Sequence, residues 1–68
     1  MSVEVTVNGE AHEVPSGTTV AELVAAVTGL TAGVAAAVNG EVVPRRRWPG
    51  TQLHGGDRVE VVTAVQGG

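Results

Sequence analysis

The stretch Ser2-Val3-Glu4-Val5-Thr6-Val7-Asn8-Gly9 decides how the fold begins. Its valines alternate with polar residues, which is the two-residue period of a strand with one buried face. The pair Asn8-Gly9 follows at once, and this pair favours a two-residue hairpin turn. The chain then returns through residues 12–14 to Pro15, which cannot donate a hydrogen bond to a strand ladder. The sequence therefore predicts an N-terminal β-hairpin with a short second strand.

A helix is the next predicted element. Thr19 and Glu22 have the spacing of a capping box, in which each side chain accepts a hydrogen bond from the other residue's backbone. Apolar residues then recur at helical spacing, at Val20, Leu23, Val24 and Val27. Gly29 stands where a left-handed residue would end a helix of about ten residues.

Three more strands are predicted after the helix. The first covers residues 34–38, and a second Asn-Gly pair turns the chain into residues 41–43. Residues 45–53 indicate a loop with room for one short helical turn. A turn at residues 54–57 leads into the last strand, over residues 58–65. The element order β-β-α-β-β-β indicates an α+β fold with one helix packed on one face of a sheet.

Composition bounds the class of protein. A chain of 68 residues holds one domain, and the absence of cysteine excludes disulfides and zinc–thiolate sites. The net charge is −3, with no lysine and one aromatic residue, so nucleic acid is not an expected partner. No apolar run approaches the ~20 residues of a membrane-spanning helix, and no signal peptide is evident. We expect a cytoplasmic protein without a membrane partner.

One face of the sheet is left without a covering helix. The alternation of side chains assigns six residues to this outer face, namely Ala35, Ala37, Arg58, Glu60, Val62 and Ala64. The face is small and partly apolar, with charged residues beside it. We predict that it is a docking surface for a protein partner, the alternative being a solvated sheet face.

Few side chains of the body suggest chemistry. His12 and His54 each lie near a turn without a companion at metal-ligand spacing, and we interpret both as surface residues. The run Arg45-Arg46-Arg47 is able to hold a carboxylate or a phosphate, or to remain solvated. Trp48 is open to two interpretations, a docking anchor or a plug that closes one end of the core. We include Arg45 and Trp48 among the candidate residues for docking a partner. We expect no catalytic residue and no metal site.

The sequence ends in Gly67-Gly68, directly after the last predicted strand. Neither residue has a Cβ, so this segment is able to enter a narrow tunnel. Four extended residues, 65–68, span about 13–14 Å. We therefore divide the chain into a domain over residues 1–65 and a flexible tail over residues 66–68. A terminal carboxylate is a poor electrophile, and a partner must activate it, most simply with ATP, before a nucleophile attacks.

Three segments resemble the ThiS family of sulfur carriers. Residues 39–48, Asn-Gly-Glu-Val-Val-Pro-Arg-Arg-Arg-Trp, resemble its Asn-x-x-(Val/Ile)-(Val/Ile)-Pro-Arg-x-x-Trp segment, and only Arg45 of the three arginines matches its arginine. Residues 56–60 resemble its Gly-Asp turn into the last strand. The end of the chain resembles its tail. A β-β-α-β-β-β domain that ends in Gly-Gly also looks like the β-grasp, or ubiquitin-like, fold.

The resemblance implies a fold and a role in thiamin biosynthesis. The first and last strands would lie parallel in the middle of one mixed sheet of about five strands. Gly68 would be adenylated by a ThiF-type enzyme that uses ATP, and a desulfurase relay would then deliver sulfur to give the Gly68 thiocarboxylate. Thiazole synthase (ThiG) would take that sulfur. Gly67 would keep the tail thin, with Gln66 and Val65 positioning it. The chain would then be a carrier that binds no cofactor stably, and not an enzyme.

Three alternatives stay open on the sequence. A MoaD-type carrier for molybdopterin synthase shares the fold and the tail, but the Val-Pro-Arg-x-x-Trp segment disfavours it. A ubiquitin-like protein modifier would be joined to its targets through Gly68. A plain binding module would make no use of its Gly-Gly end.

Overall fold

The structure is a computed structural model that describes residues 1–29 and 33–63. Over these residues it contains five strands and one α-helix. In chain order they are β1 (Ser2–Val7), β2 (Glu10–Pro15), α1 (Val20–Val27), β3 (Val34–Val38), β4 (Glu41–Val43) and β5 (Arg58–Thr63). A 3-10 helix spans Arg45–Gly50 between β4 and β5. The predicted order of elements is confirmed, including the short helical turn after the fourth strand.

The five strands form one mixed sheet in the order β2-β1-β5-β3-β4. The first and last strands are parallel neighbours at its centre, with Val7 opposite Val59. The other pairs are antiparallel. The arrangement that the resemblance implied is therefore confirmed.

Both predicted hairpin turns are present. Asn8 and Asn39 have φ angles of 51° and 53°, and the glycine after each of them also has a positive φ. This is the mirror-image turn that fits the twist of paired strands. β2 is longer than predicted because its pairing follows from this turn and not from its own side chains. Glu10 lies opposite Val7, and the ladder continues to Pro15 at the sheet edge.

The start of the helix is as predicted, and its end is not. The Thr19 hydroxyl accepts from the Glu22 N–H at 3.2 Å, and a Glu22 carboxylate oxygen accepts from the Thr19 N–H at 2.9 Å. The prediction that Gly29 caps the helix in a left-handed conformation is wrong. Thr28 ends the helix at φ −134°, and its N–H donates to the Val24 carbonyl at 2.9 Å. The helix thus ends at a non-helical residue with a negative φ, and no left-handed residue is needed there.

α1 covers one face of the sheet. The buried core consists of Val5, Val7, Val20, Leu23, Val24, Ala36, Trp48, Leu53, Val59 and Val61. Val27, which the helical spacing assigned to the buried stripe, is 41% exposed, because it lies on the last turn of a helix shorter than predicted. Val20 is fully buried, and its N–H donates to the Thr51 carbonyl at 2.8 Å. The helix is therefore fastened at its N-terminal end.

We expect the capping box to contribute measurably to stability. Thr19→Ala removes the hydroxyl that accepts from the Glu22 N–H, and it should lower the free energy of unfolding by about 1 kcal/mol. Urea unfolding followed by circular dichroism measures the change. Thr19→Ser keeps the hydroxyl and should stay near the wild-type value. Equal losses in the two variants would contradict this account.

Candidate functional site

β5 is the strand that leads toward the predicted tail, and it lies at the centre of the sheet. It pairs with β1 on one side and with β3 on the other, as far as Thr63 opposite Val34. The residues that the sequence analysis placed further along lie outside the described residues, namely Ala64, Val65, Gln66, Gly67 and Gly68. The predicted boundary between domain and tail lies there too.

The side chain of Asn8 holds β5 beyond the point where β1 turns away. The Asn8 N–H donates to the Val59 carbonyl at 2.9 Å, as in a regular parallel ladder. Its Oδ1 accepts from the Val61 N–H at 2.9 Å, and its Nδ2 donates to the Val61 carbonyl at 3.1 Å. One amide thus supplies both bonds that the next residues of a longer β1 would have made.

Asn39 holds the other end of β5 in a similar way. Its N–H donates to the Arg58 carbonyl at 2.7 Å, and its Oδ1 accepts from the Arg58 N–H at 2.9 Å. Its Nδ2 donates to Asp57 Oδ1 at 3.1 Å, and the other oxygen of Asp57 accepts from the His54 N–H at 2.8 Å. The two hairpin turns therefore fix the strand that precedes the tail.

Sequence reasoning missed this second role of the two asparagines. It assigned Asn8 and Asn39 to turns, where glycine or aspartate also serve. A signal was available, because asparagine, unlike glycine or aspartate, combines tolerance of a positive φ with a side chain that both donates and accepts hydrogen bonds. That signal becomes readable only when β5 is known to lie beside both turns.

The predicted outer face is brought together as expected over its described part. Ala35 lies opposite Val62, and Ala37 lies opposite Glu60. Val62 is 61% exposed, and Arg58 is exposed at the start of the same strand. A small apolar patch with one charge of each sign therefore lies on the side of the sheet away from α1.

One residue of this face was missed by the sequence analysis. Val42 lies opposite Ala37 and is 75% exposed, so it extends the apolar patch to the sheet edge. The two-residue turn before β4 fixes the register of β4 against β3. The alternation of side chains that assigned the other residues to the outer face would have assigned Val42 to it as well. A shallow groove beside Val62 continues the patch and is lined by Gly33, Val34 and Ala35.

Trp48 belongs to the core and does not offer its ring to a partner. It is 6% exposed, and its indole Nε1–H donates to the Val43 carbonyl at 2.8 Å. Of the two interpretations left open, the structure supports the plug, and this corrects the assignment of Trp48 to a docking surface. The guanidinium of Arg45 lies 5.3 Å from the ring centroid, a cation–π distance. Arg45 itself is exposed.

The two histidines lie apart. His12 is on β2, 3.8 Å from a carboxylate oxygen of Glu10, and His54 is exposed in the turn before β5. Over residues 1–29 and 33–63, no three histidine or acidic side chains come close enough together to hold a metal ion. In the same part of the chain, no helix is long and apolar enough to cross a membrane.

These features define the class of protein. A mixed five-stranded sheet with parallel central strands and one helix across one face is the ubiquitin-like β-grasp fold. The model of the ThiS family matches residues 4–68. The chain belongs to the ThiS family.

Two relatives support the assignment. The chain is 30% identical to the sulfur carrier protein ThiS of Escherichia coli (strain K12) over 66 residues, which cover 97% of this chain and all of that protein. It is also similar to the crystal structure of a thiamine biosynthesis protein (ThiS) from Geobacter metallireducens. The TM-score is 0.79 and the identity 33%, over 97% of this chain and all of the other.

We expect the hydrogen bonds of the Asn8 side chain to be the main protection of the Val61 amide against hydrogen exchange. Asn8→Gly keeps a residue that tolerates the positive φ but removes both side-chain bonds to Val61. The Val61 amide should then exchange its hydrogen faster relative to other core amides, and stability should fall by about 1–2 kcal/mol. Native-state hydrogen exchange by NMR measures both effects.

Asn8→Asp is the matched control. It retains the oxygen that accepts from the Val61 N–H, so it should protect that amide better than glycine does. The account would be wrong if Val61 exchanged no faster in Asn8→Gly than in the wild type, compared with the other core amides of each protein.

Proposed function

We propose that the chain is a sulfur carrier of thiamin biosynthesis, with the Gly68 carboxylate as the group that carries the sulfur. One observation supports this above all: the ThiS family model matches the chain through residue 68, the second glycine of Gly67-Gly68. Both relatives bear the ThiS name, which favours thiamin over the molybdopterin alternative.

The proposed chemistry takes place on partner proteins. A ThiF-type enzyme joins the Gly68 carboxylate to the α-phosphate of ATP and releases pyrophosphate. A persulfide of the desulfurase relay then attacks the acyl adenylate, and AMP leaves. A thiol of the relay cleaves the S–S bond of the resulting acyl disulfide, which releases the thiocarboxylate and leaves the relay thiols joined in a disulfide. Thiazole synthase takes this sulfur. ATP therefore binds to the partner, and the carrier needs no cofactor of its own.

The chain acts in this scheme as a substrate of enzymes and not as an enzyme. Gly67 keeps the tail narrow, and Gln66 and Val65 position it in each partner's active site. The geometry of β5 supports this assignment, because hydrogen bonds hold the strand on both sides before the tail begins. We place the carrier in the cytoplasm, since its scheme needs ATP and a supply of reduced sulfur.

We also propose that partners dock on the outer face of the sheet. Ala35, Ala37 and Val62 supply apolar contact, while Arg58 and Glu60 supply charges that fix orientation. Ala64 would extend this face along the last strand. The face lies on the strand that precedes the tail, so a partner that binds it is well placed to receive the tail.

Formation of the thiocarboxylate tests the proposed function. The protein is incubated with ATP, a sulfide source and a ThiF-type enzyme, then treated with a thiol-directed alkylating reagent and analysed by intact mass. We expect an alkylated product that maps to Gly68. Alkylation is needed because exchange of oxygen for sulfur changes the mass almost as much as oxidation of Met1.

A variant without Gly67 and Gly68 is the control. It should remain folded by circular dichroism but give no alkylated product, and it should not restore thiamin-independent growth to a strain that lacks the carrier. Growth of that strain on the truncated protein would falsify the proposed function. An unmodified wild-type chain, with an enzyme shown active on another carrier, would do so as well.

The docking face has its own test. Val62→Asp places a charge in the middle of the apolar patch, and it should raise the KM of the adenylating enzyme for the carrier by about tenfold with little change in kcat. Ala25→Asp adds the same charge on the exposed side of α1 and should leave KM near the wild-type value. If Val62→Asp also behaved like the wild type, the outer face would not be the docking surface.

A further inference from the structure

Positive charge is concentrated in one short segment of this acidic chain. Three of its four cationic side chains are the consecutive Arg45, Arg46 and Arg47, which open the 3-10 helix after β4. All three are exposed. Within residues 1–29 and 33–63, the one basic side chain with a carboxylate oxygen within 4.0 Å is that of His12, beside Glu10, so no arginine there has such a partner. The described part of the fold therefore supplies no carboxylate that neutralises the positive charge of this segment.

The two edges of the sheet carry opposite charge. β4 is one edge strand of the order β2-β1-β5-β3-β4; it carries Glu41 and leads into Arg45–Arg47, so positive charge exceeds negative charge there. Glu10 and Glu13 lie on β2 at the other edge, and Glu4 lies on the adjoining β1. The domain therefore has a dipole across the sheet, and such a field orients an approaching charged partner.

The arginine segment leaves the sheet at the same end as the tail strand. β4 and β5 are both antiparallel to β3, so they run in the same direction, with Val43, Ala36 and Val61 side by side across them. Two residues after Val43 the 3-10 helix begins at Arg45, and two residues after Val61 lies Thr63, the last residue of β5. Two strand spacings are about 10 Å, so the positive segment begins close to where β5 ends.

The three arginines occupy successive positions around one turn of a 3-10 helix. A 3-10 helix has three residues per turn, so residues three apart share a face while neighbours diverge. Arg45 accordingly lies over the ring of Trp48, three residues further on, while Arg46 and Arg47 occupy the other two positions of the same turn. Such a set is poorly arranged to converge on one phosphate but well arranged to face a broad surface. Nucleic acid is disfavoured, because the chain is acidic and its one aromatic ring is buried.

We propose that Arg45, Arg46 and Arg47 dock against an acidic protein surface at the rim of the adenylating enzyme's active site. This inference rests on the proposed function and adds to it the chemistry of the partner's rim. The arginines attract and orient the partner at the end of the sheet where the tail strand ends, while the outer face supplies the apolar contact. Within the described residues, the side chains of Arg46 and Arg47 make no hydrogen bond or ion pair, and both are exposed, so their guanidinium groups are free to act in binding.

The test compares two double variants of equal net charge. Arg46→Gln with Arg47→Gln removes two positive charges, and Ala25→Glu with Ala26→Glu adds two negative charges at exposed positions on α1, on the other side of the sheet from the outer face. Circular dichroism establishes that both fold. The steady-state KM and kcat for adenylation of each carrier are then measured from low to high ionic strength.

We expect the arginine variant to raise KM by about tenfold at low salt, with kcat unchanged. The KM of the arginine variant should also depend less on salt than that of the wild type. The control variant with two added glutamates should show a much smaller rise in KM. Equal effects in the two variants would overturn the inference, because net charge alone would then explain them. So would a fall in kcat at constant KM, or competition by inorganic phosphate at millimolar concentration, which would indicate a small-anion site.

The outcomes separate this inference from the proposed function. A wild-type carrier that is adenylated normally, together with an arginine variant that matches it, overturns the arginine docking site alone. A wild-type carrier that no ThiF-type enzyme adenylates overturns the proposed function and the docking site with it.

Discussion

The placement of β5 between β1 and β3 is the constraint on which the rest of the molecule depends. β5 comes from the end of the described chain and β1 from its beginning, yet they are parallel neighbours at the centre of the sheet. β1 stops at Val7 because the chain turns there, while β5 continues to Thr63. Without a further partner, the Val61 backbone would lack its bonds on that side. The Asn8 amide supplies them across 53 residues of sequence.

The two Asn-Gly turns therefore do more than connect strands. A Gly-Gly turn would reverse the chain equally well, but it has no side chain to bond β5. With asparagine, Asn8 bonds the middle of β5, and Asn39 bonds its first residue and the preceding Asp57. When both hairpins form, the asparagine side chains that hydrogen-bond to β5 are therefore already in position. In a domain with so small a core, this use of polar side chains adds stability that apolar burial does not supply.

The sequence predicted what depends on neighbours along the chain and missed what depends on distant partners. The capping box at Thr19 and the hairpin turns were correct because each is decided within a few residues. The predicted cap at Gly29 was wrong, since Thr28 already ends the helix in a non-helical conformation with a negative φ. Trp48 stayed ambiguous until its indole N–H was seen to meet Val43 inside the core. The outer face was predictable, because side chains alternate between the two faces of a strand, and one buried residue is enough to show which side chains point outward.

A carrier must be released from each partner, and this requirement accounts for the composition of its docking surfaces. In the proposed scheme the chain visits several partners in turn, so a large apolar interface would hold it too long on each. The alanines of the outer face bury little area, and Val62 and Val42 are the large apolar side chains exposed there. Exposed arginines at the edge add rate of association and orientation more than they add residence time. A small apolar face beside a charged edge is therefore suited to repeated, brief docking.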